Sequence, residues 1–210
     1  RPVLLYAVEM FDRRKINLAN GEIIIDLNDK NGFIEIMRNV QGKDVDVVIH
    51  SPGGSPDATE SIVQLLRNKF NSIRFIIPSV AKSAATMLSM SGNEIILGYG
   101  AELGPTDTQM IINGRVNPAH AILKQFDKAK YEISKNSNIL PAWLPILQYF
   151  GPSLLTECDD ALKLSKKLVT DWLTDYMFAG QKRAGQKAAT VSRFLASKNH
   201  LSHGRPVNIE

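Results

Sequence analysis

Two short stretches hold the residues best suited to chemistry. The first is Ser51-Pro52-Gly53-Gly54-Ser55, which follows an apolar run and precedes a helical pattern. A glycine pair there lets the backbone approach a ligand closely and turn its N–H groups outward. Such groups could hold a phosphate or an oxyanion. The phosphate version lacks its usual companions, since neither G-x-x-x-x-G-K-[ST] nor G-x-G-x-x-G is present. The second stretch is Pro78-Ser79-Val80-Ala81-Lys82-Ser83-Ala84-Ala85, again between an apolar run and a helix, this one rich in small residues. A serine opening a helix is commonly an N-cap. The same placement also puts a hydroxyl beside the positive end of a helix, where a nucleophile is favoured. An ordinary turn and an ordinary cap explain each stretch alone. Together, 29 residues apart (83 minus 54), they can supply an oxyanion donor and a nucleophile.

The elements that must position them follow from periodicity. Runs 3–8, 23–25, 45–49, 73–77 and 95–97 read as strands. Runs 45–49, 73–77 and 95–97 are nearly all apolar, which predicts strands covered on both faces in a parallel sheet. Helical patterns occupy 32–40, 56–70 and 83–91. Pro56 suits a first turn, and Ala58, Ile62, Leu65 and Leu66 form the apolar stripe. Strand alternating with helix predicts an α/β fold. Asn113-Gly114 predicts a tight turn. Past Pro118 the pattern is helical, over 118–135, 142–149, 153–176 and 180–196, with Pro141, Pro145 and Pro152 as punctuation. The expected organisation is an α/β core over 1–117, a helical region over 118–198 packed on it, and a tail over 199–210, together one domain.

Composition narrows the chemistry. The chain has 210 residues, 44% of them hydrophobic and 22% charged, which excludes a disordered protein. A single cysteine, Cys158, excludes a disulfide framework and a cysteine-rich zinc site, and fits a reducing, cytoplasmic setting. It sits on the stripe Leu155, Cys158, Leu162, Ser165, Val169 and Leu173, so a thiol nucleophile is not expected. No apolar run of about 18 residues occurs. Association with a membrane would need a segment before Arg1. The net charge is +4, with much of the excess late in the chain: Lys163, Lys166, Lys167, Lys182, Arg183, Lys187, Arg193 and Lys198. Asp159, Asp160, Asp171 and Asp175 are interspersed and no aromatic residues alternate with the cations, so a solvated helix surface is expected and not a nucleic-acid site. The histidines are His50, His120, His200 and His203.

His50-Ser51-Pro52-Gly53-Gly54, Ala81-Lys82-Ser83-Ala84, Asn93-Glu94-Ile95-Ile96, the run 103–109 (Leu-Gly-Pro-Thr-Asp-Thr-Gln) and Ser202-His203-Gly204-Arg205-Pro206 occur in this order. In this the chain resembles the Clp protease and crotonase superfamily, and more closely the serine dehydrogenase proteinases, relatives of signal peptide peptidase A. The resemblance implies a spiral of β-β-α units with an added C-terminal helical region. It implies a serine peptidase with Ser83 as nucleophile and the N–H groups of Gly54 and Ala84 as oxyanion hole. Gly53 and Ser55 would pair with an extended polypeptide substrate. Clp relatives place a histidine near the position of Asp107 and Thr108, where this chain has none. The order Ser, Asp, His implied for this group puts the roles on Ser83, Asp107 and His203. A triad is set by geometry, not chain order. The signal peptide peptidases imply a different base, a neutral lysine, for which Lys124 stands 41 residues past Ser83. Such a lysine needs burial. No metal or cofactor is implied, and relatives suggest a homo-oligomer.

Two other readings stay open. One is an acyl-CoA enzyme on the crotonase scaffold, which would use the oxyanion turn without a serine nucleophile; no paired glutamates flank the turns. The other is a catalytically silent oligomeric scaffold in which Ser83 is a cap.

Overall fold

A computed structural model describes residues 1–19, 23–148, 150–196, 203 and 205–207. The described residues fall into two compact units: residues 1–106 with 166–210, and residues 107–165. The second unit thus begins at Asp107, eleven residues before the change of character at Pro118. The expected helical region divides, residues 118–165 in one unit and 166–196 in the other.

The first unit is built on a parallel sheet of strands β1 (Val3–Ala7), β2 (Asp44–His50), β3 (Ser72–Ile77) and β5 (Glu94–Leu97), in the order β1-β2-β3-β5. Residues Leu4, Val47, Phe75 and Ile95 lie side by side across it. Between β1 and β2 lie helices α1 (Arg13–Leu18) and α2 (Leu27–Met37). Helix α3 (Pro56–Lys69) begins with Ser55 capping the Ala58 N–H and Pro56 in its first turn, and buries Ala58, Thr59, Ile62, Val63 and Leu66. Helix α4 (Ala84–Met90) is buried along its whole length, which small residues permit.

The expectation of strands covered on both faces holds best for β2 and fails toward the edges. Strand β3 alternates buried and half-buried residues, and β5 has no fully buried position. One face carries Leu4, Val45, Val47, Ile49, Ile73, Phe75 and Ile77, all buried, while the other leaves Val3, Leu5 and Ile96 exposed. Edge strands β1 and β5 have a neighbour on one side only. The apolar run 23–25 forms no strand; Ile25 makes a single parallel bridge, to Gly54.

On the second face, Asp46 lies opposite Arg74 in the register and accepts from its Nε at 3.1 Å and from its Nη2 at 2.6 Å. Hydrogen bonding to Arg74 holds the Asp46 carboxyl below the ordinary carboxylate range, against the opposing effect of its burial. A depressed folded-state pKa stabilises the fold above the unfolded value and ceases to do so as pH falls through the folded one. The Asp46→Asn variant should therefore melt lower than wild type at pH 7, with the gap closing below about pH 4. Thermal scans at pH 7 and pH 3 check this; a gap that ignores pH contradicts it.

Two two-residue strands, β4 (Val80–Ala81) and β6 (Glu102–Leu103), pair in parallel. The first unit closes with the end of α7 (Leu154–Trp172), a π-helical turn over Leu173–Met177, and α8 (Ala184–Leu195). Arg67 of α3 lies over the Tyr176 ring at 3.5 Å and donates to the Ser91 carbonyl and, at 2.9 Å, to Asn93 Oδ1. Burial lowers its pKa to about 10, so it stays charged at neutral pH. It thereby ties α3, the end of α4 and the π turn together.

The second unit holds the hairpin β7 (Gln109–Ile112) and β8 (Arg115–Pro118), turning at Asn113-Gly114 as expected. It also holds α5 (Ala119–Lys135), a 3-10 turn (Ser137–Ile139), α6 (Leu140–Leu147) and the start of α7. Pro141 and Pro145, read as punctuation, instead lie inside α6, one in its first turn and one further along. A core of Ala119, Ile122, Leu154 and Cys158 is packed by Met110, Ile112, Leu123, Phe150, Leu155 and Leu162. Burial pushes the Cys158 thiol up, as its place on the apolar stripe predicts.

Candidate active site

The two motif turns are laced together by backbone hydrogen bonds. Ser51, the residue after β2, donates its N–H to the Val80 carbonyl at 3.0 Å and accepts at its own carbonyl from Lys82 at 3.0 Å. This sets the glycine turn directly against the serine turn. A side chain at Gly53 would place its Cβ 2.6 Å from the Lys82 carbonyl oxygen, 2.7 Å from Ser83 Cβ and 3.0 Å from the Ala84 nitrogen. Gly53 also has φ +103°, a conformation that side chains rarely adopt. The glycine is thus required twice, for its conformation and for contact with Ser83.

The neighbouring peptide is held by the chain itself. Ile25 donates its N–H to the Gly53 carbonyl at 2.8 Å and accepts from the Ser55 N–H at 2.8 Å. In a trans peptide the carbonyl and the following N–H point in opposite directions. With the Gly53 carbonyl aimed at Ile25, the Gly54 N–H is turned away from it, onto the opposite edge of the turn, together with the Gly54 carbonyl. The pairing of substrate expected at Gly53 and Ser55 would draw on the Gly53 carbonyl and the Ser55 N–H. Those groups already serve Ile25, and Ser55 Oγ caps α3. The edge left for an extended ligand is that of Gly54.

Ser83 occupies the N-cap position of α4 with φ 50° and ψ −119°, and its side chain makes no capping hydrogen bond. The capping role, the main alternative for this residue, is therefore absent. A left-handed serine at a strand-to-helix turn is strained, and strain of this kind concentrates at functional sites. Ala84, the first residue of α4, has an N–H of the class a helix leaves without an internal partner. One turn on, Thr86 Oγ1 donates to the Ala81 carbonyl at 2.7 Å and accepts from the Gly104 N–H at 3.0 Å. A Cβ at Gly104 would lie 2.7 Å from Lys82 Cδ. Nothing in the sequence pattern singled out Thr86, since a threonine in a helix of small residues has no distinguishing period.

The basic candidates separate clearly. Lys82 is engaged, with its Nζ 2.7 Å from Glu102 Oε2 and 3.3 Å from the Leu103 carbonyl. Lys124 is exposed on α5 in the second unit, without the burial a neutral lysine needs. His120 is half-buried on the same helix. His50, at the end of β2, is half-buried with its ring tilted against Phe11 at 5.6 Å. His200 lies outside the described residues.

His203 is half-buried in a turn. The tail that carries it is anchored four residues on, where Val207 and Leu103 exchange both backbone hydrogen bonds, at 3.0 and 2.9 Å. Leu103 in turn pairs with Ala81. At about 4.8 Å per strand spacing, Val207 is roughly 10 Å from Ala81 across the ladder. A residue 120 positions from Ser83 in the sequence thus belongs to a segment hydrogen-bonded beside the serine turn. Asp107 is buried, at 5% exposure, and accepts from Gln109 Nε2 at 2.9 Å. It opens the second unit, directly after Thr106, whose N–H donates to the Leu195 carbonyl. Among the described residues no cluster of histidine, cysteine and carboxylates could hold a metal.

Known proteins share parts of this chain. Two uncharacterized proteins of Methanocaldococcus jannaschii are similar to it. MJ0137 is 30% identical over 68% of this chain and 53% of its own length; MJ1495 is 29% identical over 63% and 47%. The chain spans about half the length of these relatives. Among solved structures, a serine-to-alanine mutant of the membrane-bound stomatin-specific protease 1510-N aligns with a TM-score of 0.49 and 16% identity, over 84% of this chain and 66% of that one. A lysine-to-alanine mutant of the same protease, in complex with a substrate peptide, aligns with a TM-score of 0.41 and 20% identity, over 60% and 56%. A family model described as ClpP-like SDH-type serine proteinase matches residues 11–143, a span that includes Gly53, Gly54, Ser83, Ala84, Asp107 and Lys124 but ends before His203. The chain therefore belongs to the ClpP-like SDH-type serine proteinase family.

Proposed function

We propose that the chain hydrolyses peptide bonds through an acyl-enzyme on Ser83. The observation that carries this is the contact of Gly53 with Ser83 and Ala84, with Ser83 strained, uncapped and opening α4. Ser83 Oγ attacks the scissile carbonyl as a base removes its proton. The Gly54 and Ala84 N–H groups hold the tetrahedral oxyanion, the amine leaves with a proton from the same base, and water releases the acyl group. The substrate strand pairs along the Gly54 edge, by strand addition. His203 is the proposed base, supported by the pairing of its tail with β6 and by the exposure of Lys124. Asp107 is the proposed acidic member, on the strength of the motif at 104–107.

Hydrolysis of quenched-fluorescent peptides by the His203→Ala and Lys124→Ala variants tests the assignment. Loss of about 10³-fold or more in kcat for His203→Ala, with Lys124→Ala near wild type, is expected. The reverse pattern would overturn the base. A peptide substrate, and not an acyl thioester, distinguishes this reading from the crotonase one.

The same proposal places the chain in the cytoplasm as a homo-oligomer. The lone buried Cys158 suits a reducing compartment. No described helix is long and apolar enough to cross a membrane. The second unit exposes Ile111 and Val116, which face each other across β7 and β8, together with Leu140 and Leu144 of α6. Sedimentation of the purified chain should show more than one protomer; a single species at monomer mass contradicts this part.

A further inference from the structure

We propose that Thr86 is a positioning residue for the proposed site: its hydroxyl, set between β4 and β6, fixes the first turn of α4 so that Ser83 Oγ and the Ala84 N–H meet the same carbonyl. The inference rests on the reading of Ser83 as nucleophile and of the Ala84 N–H as an oxyanion donor.

In the β4–β6 pair the Glu102 N–H donates to the Ser79 carbonyl at 2.7 Å. A parallel ladder spaces such bonds evenly, one at every second residue. The next would join the Gly104 N–H to the Ala81 carbonyl, since Ala81 lies opposite Leu103. The Thr86 hydroxyl takes both groups instead. It accepts from the Gly104 N–H at 3.0 Å and donates to the Ala81 carbonyl at 2.7 Å. Thr86 is wholly buried, and a hydroxyl has one proton to give, so these two bonds fix its rotor. A Cβ at Gly104 would also lie 3.1 Å from Lys82 Cα, a measure of how closely the end of β6 is drawn against the serine turn.

The bond to Ala81 differs from the ordinary back-bond of a helical hydroxyl. Ser89, in the same helix and equally buried, donates to the Ala85 carbonyl, four residues back and within α4. Such a bond stays inside the helix. Ala81 is five residues before Thr86 and belongs to β4. The Thr86 bond therefore closes a loop over residues 82–85 and ties the helix to the strand that precedes it. Ser83 Oγ and the Ala84 N–H both lie in that loop. The backbone holds its start through Lys82, whose N–H donates to the Ser51 carbonyl at 3.0 Å and whose carbonyl accepts from the Ala85 N–H at 2.9 Å. Thr86 fastens its far end. A serine at φ 50° persists only where its surroundings over-determine it, and this hydroxyl supplies part of that determination. It is assigned no contact with substrate and acts through the turn.

Thr86→Val keeps the shape and deletes the hydroxyl, whereas Thr86→Ser keeps the hydroxyl and deletes a methyl. Two readouts apply: kcat and KM on a quenched-fluorescent peptide, and the second-order rate at which a fluorophosphonate labels Ser83. For Thr86→Val, kcat and the labelling rate should both fall about tenfold, with KM within about twofold, the scale of one lost hydrogen bond. Thr86→Ser should stay within about threefold of wild type in both rates. Ser89→Ala, which loses an equally buried hydroxyl of the same helix, is the control and should leave both rates unchanged even if it melts lower. Thr86→Cys fills the site with only a weak donor; it serves if Thr86→Val folds poorly, and both rates should fall in it too. Unchanged kcat and labelling rate in the variant that lacks the hydroxyl would overturn the proposal, as would a rise in KM alone. An equal fall in Ser89→Ala, or a Thr86→Ser variant as slow as Thr86→Val, would overturn it as well. A wild-type chain that reacts with neither reagent would instead defeat the nucleophile reading, and this inference with it.

Discussion

Ser83→Ala should abolish peptide hydrolysis and leave the melting temperature where it was. Loss of the nucleophile costs about 10³- to 10⁶-fold in kcat in serine hydrolases. The second half of the expectation is the more discriminating. A serine that caps a helix contributes about 1 kcal/mol, and its replacement by alanine lowers stability accordingly. Here the Ser83 side chain makes no capping bond, so its removal should cost less than about 0.5 kcal/mol, the usual range for a substitution that breaks nothing. Paired kinetics and thermal scans check both halves. A variant that loses stability and keeps activity would make Ser83 a cap after all.

Gly53→Ala should damage both properties. The added methyl would sit 2.6 Å from the Lys82 carbonyl oxygen and 2.7 Å from Ser83 Cβ, at φ +103°. Its neighbours are backbone atoms and a Cβ, which cannot swing aside, so the two turns must separate. Strain of this kind costs about 1–3 kcal/mol. Moving the oxyanion donors off the tetrahedral oxygen costs about 10²- to 10³-fold in kcat. Gly185→Ala is the control, since nothing lies within 4 Å of a Cβ there and its φ is ordinary; in helix α8 it should be neutral or stabilising by up to about 1 kcal/mol. Equal behaviour of the two variants would contradict the contact between the turns.

The parts of the site legible in the sequence were those with local signals. Glycine pairs, a serine after an apolar run, and the stripe of α3 all depend on residues a few positions apart. Ser83 could be named as a helix opener from such signals, but its left-handed conformation could not, because serine carries no marker for positive φ. The pairing of Ile25 with Gly54 was equally hidden. Three isoleucines in a row suggest a strand, whereas a single bridged residue is what the turn needs. Strands β4 and β6 hold two residues each and show no period, so the ladder from Ala81 through Leu103 to Val207 depended on the fold. The Tyr6–Asp29 hydrogen bond joins β1 to α2, which no spacing rule connects. In α6 the prolines misled because position decides their effect. Pro141 in a first turn gives up an N–H that the helix does not use.

Lys163 pairs with Asp159, and Lys167 with Asp171, along α7, as a solvated helix surface predicts. Exposed pairs of this kind contribute little to stability, and their value here is to separate surface charge from the site.

The central claim is that Ser83 is a nucleophile facing a formed oxyanion hole. Labelling the chain with a fluorophosphonate and mapping the adduct by peptide mass spectrometry tests it most directly. A single adduct on Ser83, absent in Ser83→Ala, is the predicted result. No adduct under conditions where a control serine hydrolase reacts fully, or an adduct on another residue, would contradict it.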